Sequence, residues 1–158
     1  MTHISADAIF VSEQTNQIDL LSEIYHQLLD LGAVKGDFLS QVLHREQHFP
    51  TGLKTDQLGA ELPNIALPHT EGQFVTSQLI VPVALKNPVV FHHLVNPSEA
   101  LEVSFLFVLL DTKPDGQAQL LAEVMAFLVQ TPVNSLRTFL NLKDPAAIGA
   151  FLTQHSSL

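Results

Sequence analysis

Residues 101–110, Leu-Glu-Val-Ser-Phe-Leu-Phe-Val-Leu-Leu, form the longest nearly continuous apolar stretch of this 158-residue chain. A strand with one face in water alternates apolar and polar residues, whereas a strand covered on both faces is apolar almost throughout. The stretch is far too short to cross a bilayer as a helix. It therefore predicts the central strand of a sheet that is covered on both faces.

Other strands are predicted before this stretch. Three segments have a suitable apolar or β-branched composition: residues 8–11, 64–67 and 78–85. Lys86-Asn87-Pro88 has the composition of a turn and is followed by the apolar residues 89–91, so residues 78–91 predict a hairpin. Pro82 indicates that this hairpin lies at an edge of the sheet or contains a bulge.

Helices are predicted where apolar residues recur every three or four positions. The first begins at Asn16, whose side chain can cap it, and ends at Gly32. The second begins at Asp37 and ends before Pro50. Three more follow a turn at residues 114–116, over residues 117–130, 133–140 and 144–154. Helices at both ends with strands between them predict one α/β domain over residues 1–158.

Charge and composition exclude several classes of function. Seven Lys and Arg residues face sixteen Asp and Glu residues, for a formal net charge of -9, and the chain has no basic cluster. Nucleic acid and anionic membrane surfaces need such a cluster, so neither is expected as a partner. The absence of cysteine excludes disulfides and thiolate zinc sites. Without disulfides or a visible signal peptide, the expected location is the cytoplasm.

Eight histidines provide a side chain that titrates near neutral pH and can act as a nucleophile. His44 and His48 share a face of the second helix. The residues between them, Arg45-Glu46-Gln47, do not match the His-Glu-x-x-His pattern of zinc proteases. We expect neither a metal nor a cofactor.

His69 has the most distinctive context of the eight. It ends the segment Ile65-Ala-Leu-Pro-His69, in which an apolar strand leads into a proline, and Thr70 follows. Pro68 restricts the backbone at the end of the strand, so the imidazole is held on a rigid segment at an edge of the sheet. This placement suits a nucleophile that must meet a phosphorus atom in line. The alternative is an ordinary loop histidine that is bonded to a nearby carbonyl.

Residues upstream of His69 favour phosphoryl chemistry. The planar guanidinium of Arg45 matches the oxygens of a phosphoryl group. Thr51-Gly52 could offer a hydroxyl and a close backbone approach. The alternatives are an exposed helical arginine paired with an acid, and an ordinary turn. The sequence has neither a glycine-rich nucleotide loop nor a Gly-x-Ser-x-Gly motif.

These residues, in this order, resemble a known family. Arg45-Glu46, then Thr51-Gly52, then Ala66-Leu-Pro-His69 are similar to the enzyme IIA domain of fructose- and mannitol-type sugar phosphotransferase systems. The resemblance covers about residues 5–155. Phe49-Pro-Thr-Gly-Leu53 and Pro68-His-Thr70 look most like the galactitol-type members.

The resemblance implies a fold, an activity and its partners. The fold would be a mixed β-sheet flanked by helices on both faces. His69 would accept a phosphoryl group from phospho-HPr through Nε2, with Arg45 beside the group and the other ring nitrogen donating to a carbonyl or carboxylate. The group would pass to a cysteine of the cognate enzyme IIB during uptake of a sugar or sugar alcohol, with galactitol as one candidate. The residues expected to support the site are Thr51, Gly52, Pro68, Thr70 and Gln117.

Two departures from the family pattern also give predictions. Gln117 stands where some mannitol-type members have a second active-site histidine; a glutamine can donate a hydrogen bond to phosphate but cannot shuttle a proton. The segment between Gly52 and Pro68 is longer than in compact members, and its residues 58–62 could reshape the rim of the site. Two other functions remain open: a regulatory protein of similar fold that signals its phosphorylation state by protein binding, and an interaction domain in which His69 is inert.

Overall fold

The structure is a computed structural model, and it describes residues 3–113, 116–156 and 158. The strands are β1 Phe10–Ser12, β2 Gly52–Leu53, β3 Asn64–Ala66, β4 Leu79–His92 and β5 Ala100–Leu110. The helices are α1 Gln17–Asp30, α2 Phe38–His48, α3 Gly116–Gln130, α4 Val133–Leu140 and α5 Pro145–His155. Short 3-10 turns occupy Ala6–Ala8 and Gly72–Phe74. Residues 114 and 115 of the predicted turn lie outside the described residues, and Gly116 already belongs to α3.

The strands form a mixed sheet with the order β1-β4-β5-β3-β2. β1 is parallel to β4 and β3 is parallel to β5, whereas the pairs β4–β5 and β2–β3 are antiparallel. β5 lies in the middle, and apart from Ser104 its residues 103–110 are buried. The predicted central strand is therefore confirmed.

Helices cover both faces of this sheet, as predicted. On one face α1 and α2 pack their apolar residues, among them Leu20, Ile24, Leu28, Phe38 and Val42. On the other face α3, α4 and α5 build a second core around a group of phenylalanines: Phe105, Phe107, Phe127 and Phe139. In the part of the chain that the structure describes, no helix is long and apolar enough to cross a membrane.

The hairpin predicted over residues 78–91 is wrong. β4 is a single strand, and β5 pairs with both of its halves, with a register shift between Ala84 and Val89. Lys86-Asn87-Pro88 therefore forms an irregularity within one strand and not a turn between two. A short polar segment with a proline is compatible with either structure, and pairing with the long β5 decides between them.

Pro82 lies inside this interior strand and not at an edge of the sheet. The ladder between β4 and β1 begins at the next residue, Val83. The N–H of Ile80, on the same side of the strand as the ring nitrogen of Pro82, bonds to the chain before β1, at the His3 carbonyl. The missing N–H of Pro82 thus falls where no ladder bond is required.

β2 is a strand that the sequence does not predict, because residues 50–63 have the composition of a loop. Gly52–Leu53 pairs with β3, at Ala66 and Ile65. A Cβ atom at Gly52 would lie 2.6 Å from the carbonyl oxygen of His92, so only glycine lets β2 approach the end of β4 this closely. The pairing places the segment before β2 directly beside the segment that follows β3.

Candidate active site

His69 lies just beyond the C-terminal end of β3, next to the buried strand β5. It forms a parallel bridge with Leu109, whose N–H donates to the carbonyl of Pro68 at 3.0 Å. Pro68 is buried and the imidazole is half-buried. The backbone on which His69 stands is thus held firmly, as its position after a proline predicted, but by the central strand and not at an edge of the sheet.

The imidazole is oriented through one ring nitrogen. Nδ1 of His69 lies 2.8 Å from the carbonyl oxygen of Leu67. A carbonyl only accepts, so Nδ1 carries the proton and Nε2 keeps its lone pair. Burial lowers the pKa of His69; the bond to Leu67 opposes this shift, and the charge of Arg45 adds to it. The ring is therefore neutral at neutral pH, with Nε2 as its nucleophilic atom.

A cavity of about 610 Å³ opens beside the imidazole. Its lining includes four of the predicted site residues: Arg45, His69, Thr70 and Gln117. The Arg45 guanidinium lies over the Phe49 ring, 5.2 Å from its centroid. Within residues 3–113, 116–156 and 158, it has no salt-bridge or hydrogen-bond partner. A guanidinium that forms no salt bridge, beside a neutral imidazole, is suited to an anionic group.

Thr51 lies behind the imidazole and not in the cavity. Its side chain is 4% exposed, and its hydroxyl donates to Oε2 of Glu46 at 2.5 Å. The N–H of Leu67 in turn donates to the carbonyl and to the hydroxyl oxygen of Thr51, at 3.2 Å and 3.3 Å. The sequence analysis suggested that Thr51-Gly52 could offer a hydroxyl and a close backbone approach to a phosphoryl group. The structure gives them other contacts: Thr51 bonds to Leu67, and Gly52 allows β2 to pack against the end of β4.

Glu46 belongs to the Arg45-Glu46 part of the motif, but the sequence analysis predicted no role for it in this site. It is 5% exposed, and its carboxylate accepts the N–H as well as the hydroxyl of Thr51. Burial raises its pKa to about 7, against the opposing effects of the Thr51 hydrogen bonds and of the Arg45 charge. Its spacing offered a signal, because Glu46 follows Phe38 and Val42 at intervals of four on the buried stripe of α2.

Gln117 lines the cavity, but its amide is already engaged. Nε2 of Gln117 donates to the carbonyl of Thr70 at 2.8 Å and to that of Asp111 at 3.2 Å. The side chain thus ties the start of α3 to the segment after His69 and to the end of β5. The amide would have to leave one of these carbonyls to make the phosphate contact that the sequence predicted.

Residues 58–62 do not reshape the rim of the cavity, contrary to the sequence expectation. Leu58 and Leu62 pack against the core beneath α3–α5. The carbonyl of Ala60 accepts a hydrogen bond from Arg137 of α4 at 2.6 Å. The additional residues of this segment are held on the α4 side of the molecule, away from His69.

The histidines on α2 form a pair but not a larger cluster. The rings of His44 and His48 lie 4.3 Å apart between centroids, as their spacing implies. Among the residues that the structure describes, no group of three or more His, Asp or Glu side chains could hold a metal ion.

Comparisons with known proteins show the family through one family model and the fold through several solved structures. The family described as phosphoenolpyruvate-dependent sugar phosphotransferase system, EIIA 2, matches residues 2–155. No curated protein matches the sequence. The solved structure of mannitol IIA from Escherichia coli is 16% identical, with 94% of this chain and 98% of that chain covered and a TM-score of 0.73.

Two further structures have the same fold. A complex of the mannitol enzyme IIA and phosphorylated enzyme IIB from Escherichia coli matches at 15% identity, with 96% and 97% of the two chains covered and a TM-score of 0.72. The nitrogen regulatory protein IIA-Ntr from Neisseria meningitidis matches at 17% identity, with 96% and 97% covered and a TM-score of 0.65. At these identities the likeness establishes the fold.

Proposed function

The chain belongs to the EIIA 2 family of the phosphoenolpyruvate-dependent sugar phosphotransferase system, and on this basis we propose that it is a phosphocarrier that is phosphorylated on His69. One observation carries the proposal. The imidazole is neutral, its Nδ1 proton is held by Leu67, and Arg45 lies in the same cavity without a salt bridge among the described residues. In this proposal residues 1–158 act as one enzyme IIA domain in the cytoplasm.

Acceptance of the phosphoryl group forms one bond and breaks another. The lone pair on Nε2 of His69 attacks the phosphorus of phospho-HPr, and the electron pair of the old N–P bond stays with the departing imidazole of HPr. The Arg45 guanidinium offsets charge on the equatorial oxygens, which is worth more in a partly desolvated cavity than in water. The Leu67 carbonyl holds the Nδ1 proton, so the reactive nitrogen stays unprotonated.

The forward step returns His69 to its starting state. A thiolate of the cognate enzyme IIB attacks the same phosphorus, an S–P bond forms, and the N–P electron pair returns to Nε2. A fold shared with a mannitol enzyme IIA that was solved with phosphorylated enzyme IIB supports this partner. A galactitol-type system remains a proposal that rests on the residues around Thr51 and His69.

Intact-mass spectrometry tests the proposal most directly. The protein is incubated with phosphoenolpyruvate, enzyme I and HPr, beside a His69→Ala variant whose fold is checked by circular dichroism. We expect one acid-labile phosphoryl group on the wild type and none on the variant. A phosphorylated His69→Ala protein would overturn the site.

A second arm separates transport from regulation. The phosphorylated protein is mixed with candidate enzyme IIB domains, and loss of its phosphoryl group to an IIB cysteine supports the transport role. Stable phosphorylation without transfer to any IIB would favour a regulatory protein. No phosphorylation by an HPr that is itself shown to be phosphorylated would favour an interaction domain with an inert His69.

A further inference from the structure

Hydrogen bonds on the two sides of Leu67 link α2 to the imidazole of His69. The Thr51 hydroxyl donates to Glu46 and accepts the N–H of Leu67. The carbonyl of Leu67 then accepts the Nδ1 proton of His69 at 2.8 Å. Glu46 and Thr51 are 5% and 4% exposed, so water does not compete freely for these bonds.

We propose that Glu46 is a positioning residue for the phosphoryl acceptor: through Thr51 it holds the Leu67 carbonyl in the place that fixes the Nδ1-protonated form of His69. The inference rests on the proposed function of His69 and adds to it a residue that does not line the cavity beside the imidazole. Both carboxylate oxygens of Glu46 bond to Thr51, one to its N–H and one to its hydroxyl, so the position requires a carboxylate-sized side chain with two acceptor atoms.

The charge of Glu46 sets the direction of its hydrogen bond with the Thr51 hydroxyl. An ionised carboxylate only accepts, so the Thr51 hydroxyl must donate to it and keeps its own lone pairs for the N–H of Leu67. A protonated carboxyl brings a hydrogen of its own to the same hydroxyl. The Thr51 hydrogen then loses its acceptor, and the contact with Leu67 weakens.

Two other titratable side chains among the described residues lie near Glu46 and can affect its ionisation, Arg45 and His92. Arg45 precedes Glu46 on α2 and favours its ionised form. His92, at the end of β4, lines a cavity of about 350 Å³ together with Glu46 and the neutral Gln17 of α1. Nδ1 of His92 lies 2.9 Å from the carbonyl of Pro97. The pKa of Glu46, raised to about 7 by burial, then places its ionisation within the range of ordinary assays.

The side-chain bond is tested by Thr51→Val, with Thr51→Ser as the matched variant that keeps the hydroxyl. The Leu67 N–H still bonds to the backbone carbonyl of residue 51, so the strand pairing survives in both variants. Histidine ¹⁵N spectra at pH 8 report which ring nitrogen of His69 carries the proton. We expect Thr51→Val to populate the Nε2-protonated form and to slow phosphoryl acceptance from phospho-HPr about tenfold, with Thr51→Ser close to wild type.

The carboxylate is tested by Glu46→Gln, with Glu102→Gln as a control at an exposed carboxylate. In the wild type and in Glu102→Gln, the His69 ring signals and the acceptance rate should both change with a midpoint near pH 7, in addition to the titration of His69 itself. Glu46→Gln should lose that midpoint. A merely structural role would lower stability without moving either readout.

The outcomes separate this inference from the function on which it rests. An unchanged tautomer and rate in Thr51→Val, or an unchanged pH midpoint in Glu46→Gln, would overturn the positioning role while wild-type phosphorylation still stood. A wild type that accepts no phosphoryl group would overturn the proposed function. The spectra would still show whether Glu46 controls the His69 tautomer.

Discussion

The polar region around His69 and the aromatic core beneath α3–α5 are built in opposite ways. In the aromatic core, Phe139 contacts the rings of Phe105, Phe127 and Phe151 at centroid distances of 5.1, 5.3 and 4.8 Å. Such packing is spread over many weak contacts. Around His69, by contrast, stabilisation comes from a few directed hydrogen bonds, such as those that join Glu46, Thr51, Leu67 and Nδ1 of His69.

The difference assigns separate tasks to the two regions. Loss of one ring from the aromatic core removes buried area and leaves a cavity, which lowers the stability of the fold. Loss of one polar group near His69 removes a directed hydrogen bond or a charge, which should change the rate of phosphoryl acceptance more than the stability. Variants of the two regions should therefore change different measurements.

The largest effect on stability is expected from Phe139→Ala. Phe139 is fully buried, and its loss should lower the free energy of unfolding by about 3–5 kcal/mol. Denaturant unfolding measures this, with Phe49→Ala as a control because that ring is 64% exposed. Under conditions where Phe139→Ala is folded, its rate of phosphoryl acceptance should equal that of the wild type. A slower rate in the folded variant would show that the two regions are not independent.

Arg45→Ala should show the opposite pattern. Acceptance should slow by about ten- to a thousandfold, because a charge-assisted contact to the phosphoryl oxygens is lost. Stability should change little, since Arg45 has no salt bridge among the described residues. The pKa of His69 should rise, because the Arg45 charge contributes to its lowering. Rapid-quench kinetics and a histidine titration measure these effects.

Arg45→Lys is the matched variant, since it keeps the charge and loses the planar fork. Its rate should lie between those of the wild type and Arg45→Ala. Equal rates for all three proteins would remove Arg45 from the site.

Sequence reasoning predicts the aromatic side of the molecule better than the polar side. The helices and β5 follow from hydrophobic spacing, and packing against the sheet preserves that pattern. The composition of Lys86-Asn87-Pro88 divides β4 in two, and only the pairing of β4 with β5 shows that this segment is an irregularity within one strand. β2 is too short to have a pattern of its own.

For the site, His69 and Arg45 could be selected because their residue types suit phosphoryl chemistry. Leu67, the partner of Nδ1, could not be selected in this way, because it acts through its backbone carbonyl and every residue has one. The partner of Thr51 was not predicted either, because the motif includes Arg45-Glu46 without indicating that Glu46 is buried against Thr51. Both contacts join residues close in the chain, but they depend on a backbone atom and on burial, which residue type alone does not indicate.

Burial of Glu46 predicts a pH-dependent stability. Its pKa of about 7 lies above the ordinary 4.5, so the native state binds a proton more tightly than the unfolded chain. The free energy of unfolding should therefore fall as the pH rises from 4.5 to 7, by about 3 kcal/mol from this group. His69, whose pKa is lowered, acts in the opposite direction below its ordinary pKa, so a variant is needed to isolate Glu46.

The difference between Glu46→Gln and the wild type shows the contribution of Glu46, because the burial of His69 is common to both. As the pH rises from about 4 to 8, the wild type and Glu102→Gln should both lose stability relative to Glu46→Gln. A constant difference over this range would mean that Glu46 titrates as an ordinary carboxyl.

The smallest effect is expected from Gln117, and it decides between two roles for this residue. If the amide serves only to join Thr70 and Asp111, Gln117→Ala should cost about 1 kcal/mol of stability and slow acceptance much less than Arg45→Ala does. Gln117→Glu has the same shape but only accepts, so it should be less stable than Gln117→Ala and should also repel the phosphoryl group. If Gln117→Ala slows acceptance as much as Arg45→Ala, the amide leaves its carbonyl partners and donates to the phosphoryl group, as the sequence alone predicted. Stability would then change less than the rate, and Gln117 would belong with Arg45 in the chemistry of the site.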